Sequence, residues 1–412
     1  MSFCLFLGRL LITLLKVKSD ILQSLDQNNA VLLVLLDMSA AFDTVDHQIL
    51  VDRLERLFGI SGTAKAWFTS YLDNRRTRVS VRRAQSVEHV LKFSVPQGSV
   101  IGPQCFIMYT HPVGDIIRGH NINFHVYADD TQLYVEFDPK VPGDCERALA
   151  SLSTCIMEIN AWMMRNRLQM NQDKTEFCII ASTRNLNTIP ALQLKIGDIA
   201  IDPSTTVRNL GVLFDSTLSM TSHINSICKS VNFHIRNLWR IRRFLTQESC
   251  LHAVRALILS RIDYANSLLY GAREVDLQRL QRLQNKAARL VFACGRENSS
   301  VQLLRSLHWL TMRERIKFKI LLYVYKSIHG EAPSYLSEHL NLYNTGRPEG
   351  GRRLRSSSDV TRLVVPRSTR KVGDNSCIVV APKLWNQLPC EIREAASTPV
   401  FKRLLKTFLF PD

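Results

Sequence analysis

Between Val31 and Leu36 the chain is apolar without a break, Val31-Leu32-Leu33-Val34-Leu35-Leu36, and the run stops at Asp37. A short, uniformly apolar run predicts a strand buried on both faces. Phe124 to Val135 instead alternates around Ala128-Asp129-Asp130-Thr131, which predicts two strands joined by a tight turn with two carboxylates at its tip. Elsewhere the period lengthens to that of a helix: residues 5–29, leading into the first strand, the segment Gln48 to Leu72, and Ala148 to Leu168, with strands following to about residue 214. Arg75 to Arg83 alternates as a basic strand, placed either to touch phosphates or to guard a sheet edge by charge. Downstream, Phe233 to Leu245, Leu277 to Leu290 and Leu310 to Ile328 repeat apolar residues at three- and four-residue steps, with Lys and Arg on the other faces. In the second of these, Leu277, Leu280 and Leu283 are expected to be buried.

The carboxylates change the picture. Two adjacent aspartates at a turn are most often a solvated turn. A third, Asp37, at the end of a buried strand is placed rather than merely exposed. If the strand lies beside the hairpin, Asp37, Asp129 and Asp130 converge, and hard oxygen ligands of this kind suit two Mg²⁺ ions about 3.5–4 Å apart for in-line phosphoryl transfer, with Mn²⁺ as a substitute. Asp43 and Asp46, by their spacing after Asp37, read as helix-capping and salt-bridging groups.

The segments carrying these residues resemble the reverse transcriptases of non-LTR (LINE-type) retrotransposons, of the jockey-like and chicken-repeat-like branches. Leu35-Leu36-Asp37-Met38-Ser39-Ala40-Ala41-Phe42-Asp43 is similar to motif A, Val95-Pro96-Gln97-Gly98-Ser99 to motif B, and Tyr127-Ala128-Asp129-Asp130 to motif C, in the family's order. Asn171 to Glu176 is similar to motif D, and Asn209-Leu210-Gly211-Val212 to motif E. The resemblance implies an α+β fold: a right-hand polymerase palm, βαββαβ-like with an antiparallel sheet, partial fingers, a helical thumb and a small C-terminal region. It also implies roles. Asp37, Asp129 and Asp130 would hold the metals, and Lys174 would donate a proton to the leaving pyrophosphate, an ordinary surface lysine in a turn being the equal alternative. Phe42 would exclude a 2′-hydroxyl, or is a core phenylalanine. Gln97, Gly98 and Tyr127 would contact nucleotide or template, and Leu210 and Gly211 would hold the primer end. The implied partners are an RNA template, a DNA primer or target, and dNTPs.

Composition adds an independent argument. The formal charge is +17, and it is not evenly spread: residues 1–230 carry 22 Lys/Arg and 22 Asp/Glu, residues 231–330 carry 18 against 6, and residues 331–412 carry 13 against 8. A neutral catalytic region joined to a basic one fits an enzyme that grips nucleic acid by its phosphates. Candidate contacts are Arg240, Arg242, Arg243, Arg279, Arg282, Lys286 and Arg289. The expected organisation is a lead-in at 1–30, a palm at 31–215 with a finger-like insertion at about 48–95, a basic helical region at 216–343, a Gly/Pro/Arg/Ser-rich linker at 344–359 and a C-terminal region at 360–412. In the last, Trp385 reads as a buried anchor rather than a base-stacking ring. The ten cysteines form no Cys-x₂-Cys pair, and the apolar start is too short to span a bilayer, which points to a nuclear or cytoplasmic protein without a zinc knuckle.

Only 36 residues precede Asp37, fewer than the family's fingers need, and no endonuclease segment is present, so the sequence reads as a 5′-truncated copy. Gly102 to Asp115 also departs from the apolar helix expected behind the nucleotide site. Three readings follow: an RNA-directed DNA polymerase, a non-catalytic nucleic-acid-binding remnant, and an RNA-templated RNA polymerase, the last disfavoured by Phe42. The oligomeric state is not readable.

Overall fold

The computed structural model describes residues 2–39, 41–82, 84–333, 337, 340–342 and 361–410. The chain divides into two compact units, one built from Ala30–Thr205 and the other from Phe3–Asn29 with Thr206–Asp412. The linker expected at 344–359 lies outside the described residues.

The first unit is organised by β1 (Ala30–Ser39). Its apolar run is buried from Ala30 to Val34 and again at Leu36 and Met38, because the strand is central and covered on both faces. Four strands form one sheet, with β6 (Asn123–Tyr127), β7 (Asp130–Phe137) and β8 (Gln169–Ile180) around β1 in the order β6-β7-β1-β8. Every neighbouring pair is antiparallel. Helices α4 (Gly102–Thr110) and α5 (Val113–Gly119) separate β1 from β6, and α6 (Asp144–Arg165) separates β7 from β8. This is the βαββαβ arrangement of a polymerase palm, as the motifs implied.

The local chemistry explains the helices. In α6, Ala148, Leu152, Ile156, Ile159 and Met163 recur at helical spacing and bury one face. Each large apolar side chain so buried contributes roughly 1.5–3 kcal/mol. Asp46 caps α2 (His47–Arg56), accepting from the backbone N–H groups of Gln48 and Ile49 at 2.9 and 3.1 Å, so the capping role expected of it holds. The helical segment expected over Gln48 to Leu72 is two helices, α2 and α3 (Gly62–Leu72), because Gly59 and Gly62 adopt φ of +66° and +58°. Arg53 of α2 ties the helices together: its guanidinium lies over the rings of Tyr109 and Trp162, at 4.7 and 4.9 Å, and donates to the Tyr109 carbonyl and to Asn166 Oδ1. Gly102 to Thr110 is helical despite its departure from the family pattern. Its start needs glycine, since a Cβ at Gly102 would meet Ser99 Oγ at 2.9 Å. The basic strand expected at Arg75 to Arg83 is two exposed two-stranded ladders of two-residue strands, β2 (Arg76–Thr77) with β5 (His89–Val90) and β3 (Ser80–Val81) with β4 (Ala84–Gln85).

In the second unit, α1 (Ser2–Asp26) docks on C-terminal residues instead of serving only as a lead-in. Buried Lys18 donates to the carbonyls of Leu268 and Tyr270, Ser19 bonds Ser376 at 2.6 Å, and Asp26 accepts from the N–H groups of Thr369 and Arg370. Long helices follow, α8 (Thr221–Ile241), α11 (Glu274–Phe292) and α13 (Met312–Ile328). In α11, Leu280 and Leu283 are buried as expected, while Leu277 is only half-buried. Trp385, 1% exposed, donates its indole N–H to the Thr361 carbonyl at 2.8 Å and so is a structural anchor. Among the described residues, no helix is long and apolar enough to cross a membrane.

Candidate active site

The carboxylates are delivered by strand register. The β1·β7 ladder ends at Leu36↔Thr131, which leaves Asp37 opposite Asp130 one step further on. The β6·β7 ladder ends at Tyr127↔Asp130, so Ala128 and Asp129 form the hairpin tip. Ala128 has φ of +54°, a left-handed conformation that costs an alanine energy and aims the tip. All three carboxylates are half-buried.

Their mutual repulsion is visible in Asp130. Burial, then the charges of Asp129 and Asp37, push its carboxyl up to about 6, and the ammonium of Lys174 opposes them. Lys174 Nζ stands 3.2 Å from Asp37 Oδ2 as an ion pair; that oxygen is buried and accepts no aligned hydrogen bond. Lys174 reaches it through an irregularity in β8, not from the turn that the Asn/Asp-rich sequence suggested. Leu35 pairs with Glu176 and Asp37 with Asn171, so a single residue of β1 faces Gln172 to Thr175. The extra residues bulge outward, closed by Thr175 Oγ1 donating to the Asn171 carbonyl at 3.0 Å. No composition or periodicity signal marks this bulge.

The segment after Asp37 is stitched to the Pro96-Gln97-Gly98 loop. Val95 N donates to the Phe42 carbonyl and Ser94 N to the Val45 carbonyl, both at 2.9 Å. Gln97 Nε2 donates to Asp43 Oδ1 at 2.9 Å, so Asp43 holds the loop; the salt bridge expected of it is not what it makes. Gly98 has φ of +79° with open space where a side chain would be. Phe42 is half-buried against Phe106 of α4, ring centroids 4.8 Å apart, which accounts for part of it as a core residue and leaves an edge free. Two further features were not foreseen. Tyr71 OH bonds Ser99 Oγ at 2.8 Å, and half-buried Tyr71 stacks between exposed Trp67 and Arg75 on and just beyond α3, with rings 5.5 Å apart and the guanidinium 5.0 Å from Tyr71.

An apolar central strand with one aspartate near its end, a hairpin with two at its tip, and the loop that reaches back to them all lie within a stretch that matches a known family. Residues 10–214 match the family described as reverse transcriptase (RNA-dependent DNA polymerase). They form a reverse transcriptase domain. The chain is similar to a "Probable RNA-directed DNA polymerase from transposon BS" of Drosophila melanogaster, 28% identical over 316 residues, covering 73% of this chain and 33% of that protein. It is 25% identical over 311 residues to a "Probable RNA-directed DNA polymerase from transposon X-element" of the same species, covering 73% and 32%. An "RNA-directed DNA polymerase from mobile element jockey" of Drosophila funebris is 22% identical over 276 residues, covering 62% and 28%. The motif resemblance to non-LTR retrotransposon reverse transcriptases is thus borne out. The chain spans about a third of the length of the curated relatives it matches. A telomerase structure from Candida albicans aligns at 13% identity over 79% of this chain and 52% of that one with a TM-score of 0.28, too low to inform the fold.

Reverse transcriptases are in general dependent on divalent metal. Three hard carboxylates that repel one another, one with a buried oxygen lacking a hydrogen bond, are chemically suited to such an ion. Among the described residues, no group of three or more acidic, His or Cys side chains stands close enough together to hold one as they are posed.

The remaining candidates belong to the second unit. Leu210 and Gly211 are the two turn residues between β11 (Thr206–Asn209) and β12 (Val212–Asp215), with φ of +45° and +81°. Tyr264 OH clamps the turn, donating to the Leu210 carbonyl at 2.5 Å. Arg242 does not point to solvent as a nucleic-acid contact would: its Nε and Nη2 donate to the carbonyls of Leu290 and Val291 at the end of α11, and Nη1 to Leu245. Arg279 pairs with Asp276 at 3.1 Å, and Arg289 is half-buried, its Nε without a partner. Arg240, Arg243, Arg282 and Lys286 are exposed.

Proposed function

We propose that the domain carries out RNA-directed DNA synthesis, joining dNTPs to a primer 3′-hydroxyl on an RNA template. The observation that carries this reading is the coupling of Asp130 to Asp129 and Asp37 beside Lys174, on the strand ends of a reverse transcriptase domain. Asp37, Asp129 and Asp130 would hold two Mg²⁺ ions, which when bound supply activation of the attacking hydroxyl and charge neutralisation on the phosphates. Lys174, displaced from Asp37 by the ions, would be free to protonate or neutralise pyrophosphate. Phe42, held by Phe106 and by its carbonyl bond to Val95, would present its free edge to the sugar and favour deoxynucleotides. The open left-handed backbone of Gly98, anchored by Gln97 on Asp43, would admit the nucleotide or template closely, and Tyr127 would flank it. The Leu210-Gly211 turn would steady the primer end, and Arg240, Arg243, Arg282 and Lys286 would contact phosphates.

The test is primer extension on an RNA template with Mg²⁺ and dNTPs. Asp129→Asn/Asp130→Asn should lower the rate by at least about 10³-fold, since each carboxylate serves a charge that builds in the transition state. Equal extension by that variant would refute the assignment.

A further inference from the structure

The second unit contains a pocket of about 330 Å³, the size of a nucleotide site, which the polymerase reading does not use. Its walls come from the π-helical segment Arg255–Leu259, from α10 (Ser260–Asp263) and Asn266 just beyond it, from the Leu307–Leu310 link, from α13 and from the helix Thr398–Phe408. The lining is strongly cationic. Its one carboxylate, Asp263, is fully engaged: Arg315 Nη1 contacts both its oxygens, at 2.7 and 2.5 Å, and Asn266 donates to it at 3.3 Å. Three other cations, Arg255, Lys319 and Lys406, make no hydrogen bond or ion pair among the described residues.

Lys319 is the informative one. It sits half-buried in the wall, where burial depresses its ammonium pKa; Asp263 counters this, while Lys402, Arg315 and Lys326 add repulsion. A half-buried cation facing other cations is costly to keep, and an anion in the pocket relieves the cost through charge-assisted hydrogen bonds. One carboxylate would match a single cation; three separated cations around one concavity match successive phosphates. We propose that this pocket binds a run of phosphates, carried either by a polynucleotide strand or by a free polyphosphate such as a nucleoside triphosphate. The assignment is independent of the carboxylate cluster in the first unit.

The test measures binding of tripolyphosphate and of a labelled decathymidylate to the full chain in EDTA, where a metal-dependent polymerase site is silent. Lys319→Met/Arg255→Gln is expected to weaken at least one probe tenfold or more with an unchanged melting temperature. Should Lys319→Met disturb folding, Arg255→Gln/Lys406→Gln, two exposed positions, carries the same test. Weakening for the oligonucleotide alone assigns the pocket to a strand, and for tripolyphosphate alone to a free polyphosphate; either upholds it. Binding of both probes as tight as in the parent, or no binding of either by the parent, overturns it.

Discussion

Asp130 concentrates the residue-scale logic of the site. Its neighbours raise its carboxyl to about 6 against an ordinary 3.8, so the folded chain holds a proton that the unfolded chain has released. The penalty is therefore full above pH 6 and gone below about pH 4. In EDTA at pH 8, Asp130→Asn should stabilise the fold by about 1–2 kcal/mol, allowing for solvent screening of a half-exposed group, and the gain should fade as the pH falls from 6 to 4. Thermal melts across that range check it; a gain that persists at pH 4 would mean that the repulsion is not its source. The same arrangement predicts that Lys174→Met slows extension by roughly 10–10²-fold while leaving the fold intact, since its side chain is 69% exposed. Single-turnover kinetics separates that loss from one of nucleotide affinity.

Elements carry the next layer. The β11–β12 hairpin packs on α8 through His223, 5% exposed, whose Nδ1 accepts from Leu213 N at 3.4 Å. Burial, with Arg208 nearby, lowers its pKa to about 4, so it stays neutral in the fold while the unfolded chain takes up a proton below about 6.5. Stability should fall as the pH drops from 6.5 and level off near 4, a loss of order 2–3 kcal/mol. His223→Gln should flatten that portion of the pH–stability curve, and an unchanged curve in the variant would remove His223 as its cause. Elements also show where sequence reading succeeded. The buried strand that carries Asp37, the Asp129-Asp130 hairpin and the α6 stripe were legible because each is a local pattern with one burial solution, although the strand runs two residues past Asp37 to Ser39. The β8 bulge was not, because one residue of β1 facing four of β8 is a property of two strands at once, and neither sequence alone encodes the mismatch. The split of Gln48 to Leu72 was missed for a simpler reason: Gly59 and Gly62 both take left-handed backbone, which apolar periodicity does not register.

Over the whole molecule, the positive charge is unevenly distributed along the chain. The cations in excess lie after residue 230, and of the seven candidate contacts there the four that are exposed, Arg240, Arg243, Arg282 and Lys286, are the ones expected to meet phosphates. Changing all four to Gln should weaken RNA and DNA binding to a similar degree across sequences and lower the log–log salt slope by about 0.7–0.9 for every phosphate that is no longer neutralised. Filter binding at several salt concentrations reads both quantities, and a slope that does not move would place the phosphate-binding cations elsewhere. Arg242 should add nothing to that slope, since its donors are spent on helix-end carbonyls; its replacement should instead cost stability.

The chain's own residues fix that an apolar run stops at Asp37, that Asp129 and Asp130 lie between two alternating segments, and that the excess positive charge follows residue 230. These follow from spacing and composition, which are local or summed quantities. Tertiary structure alone decided which cations are spent and which are free, that Lys174 reaches Asp37 through a bulge, that Asp43 holds Gln97, and that α1 docks with the C-terminal residues. Each of those depends on which distant segments meet, and a guanidinium or carboxylate has no fixed role until its neighbours are in place.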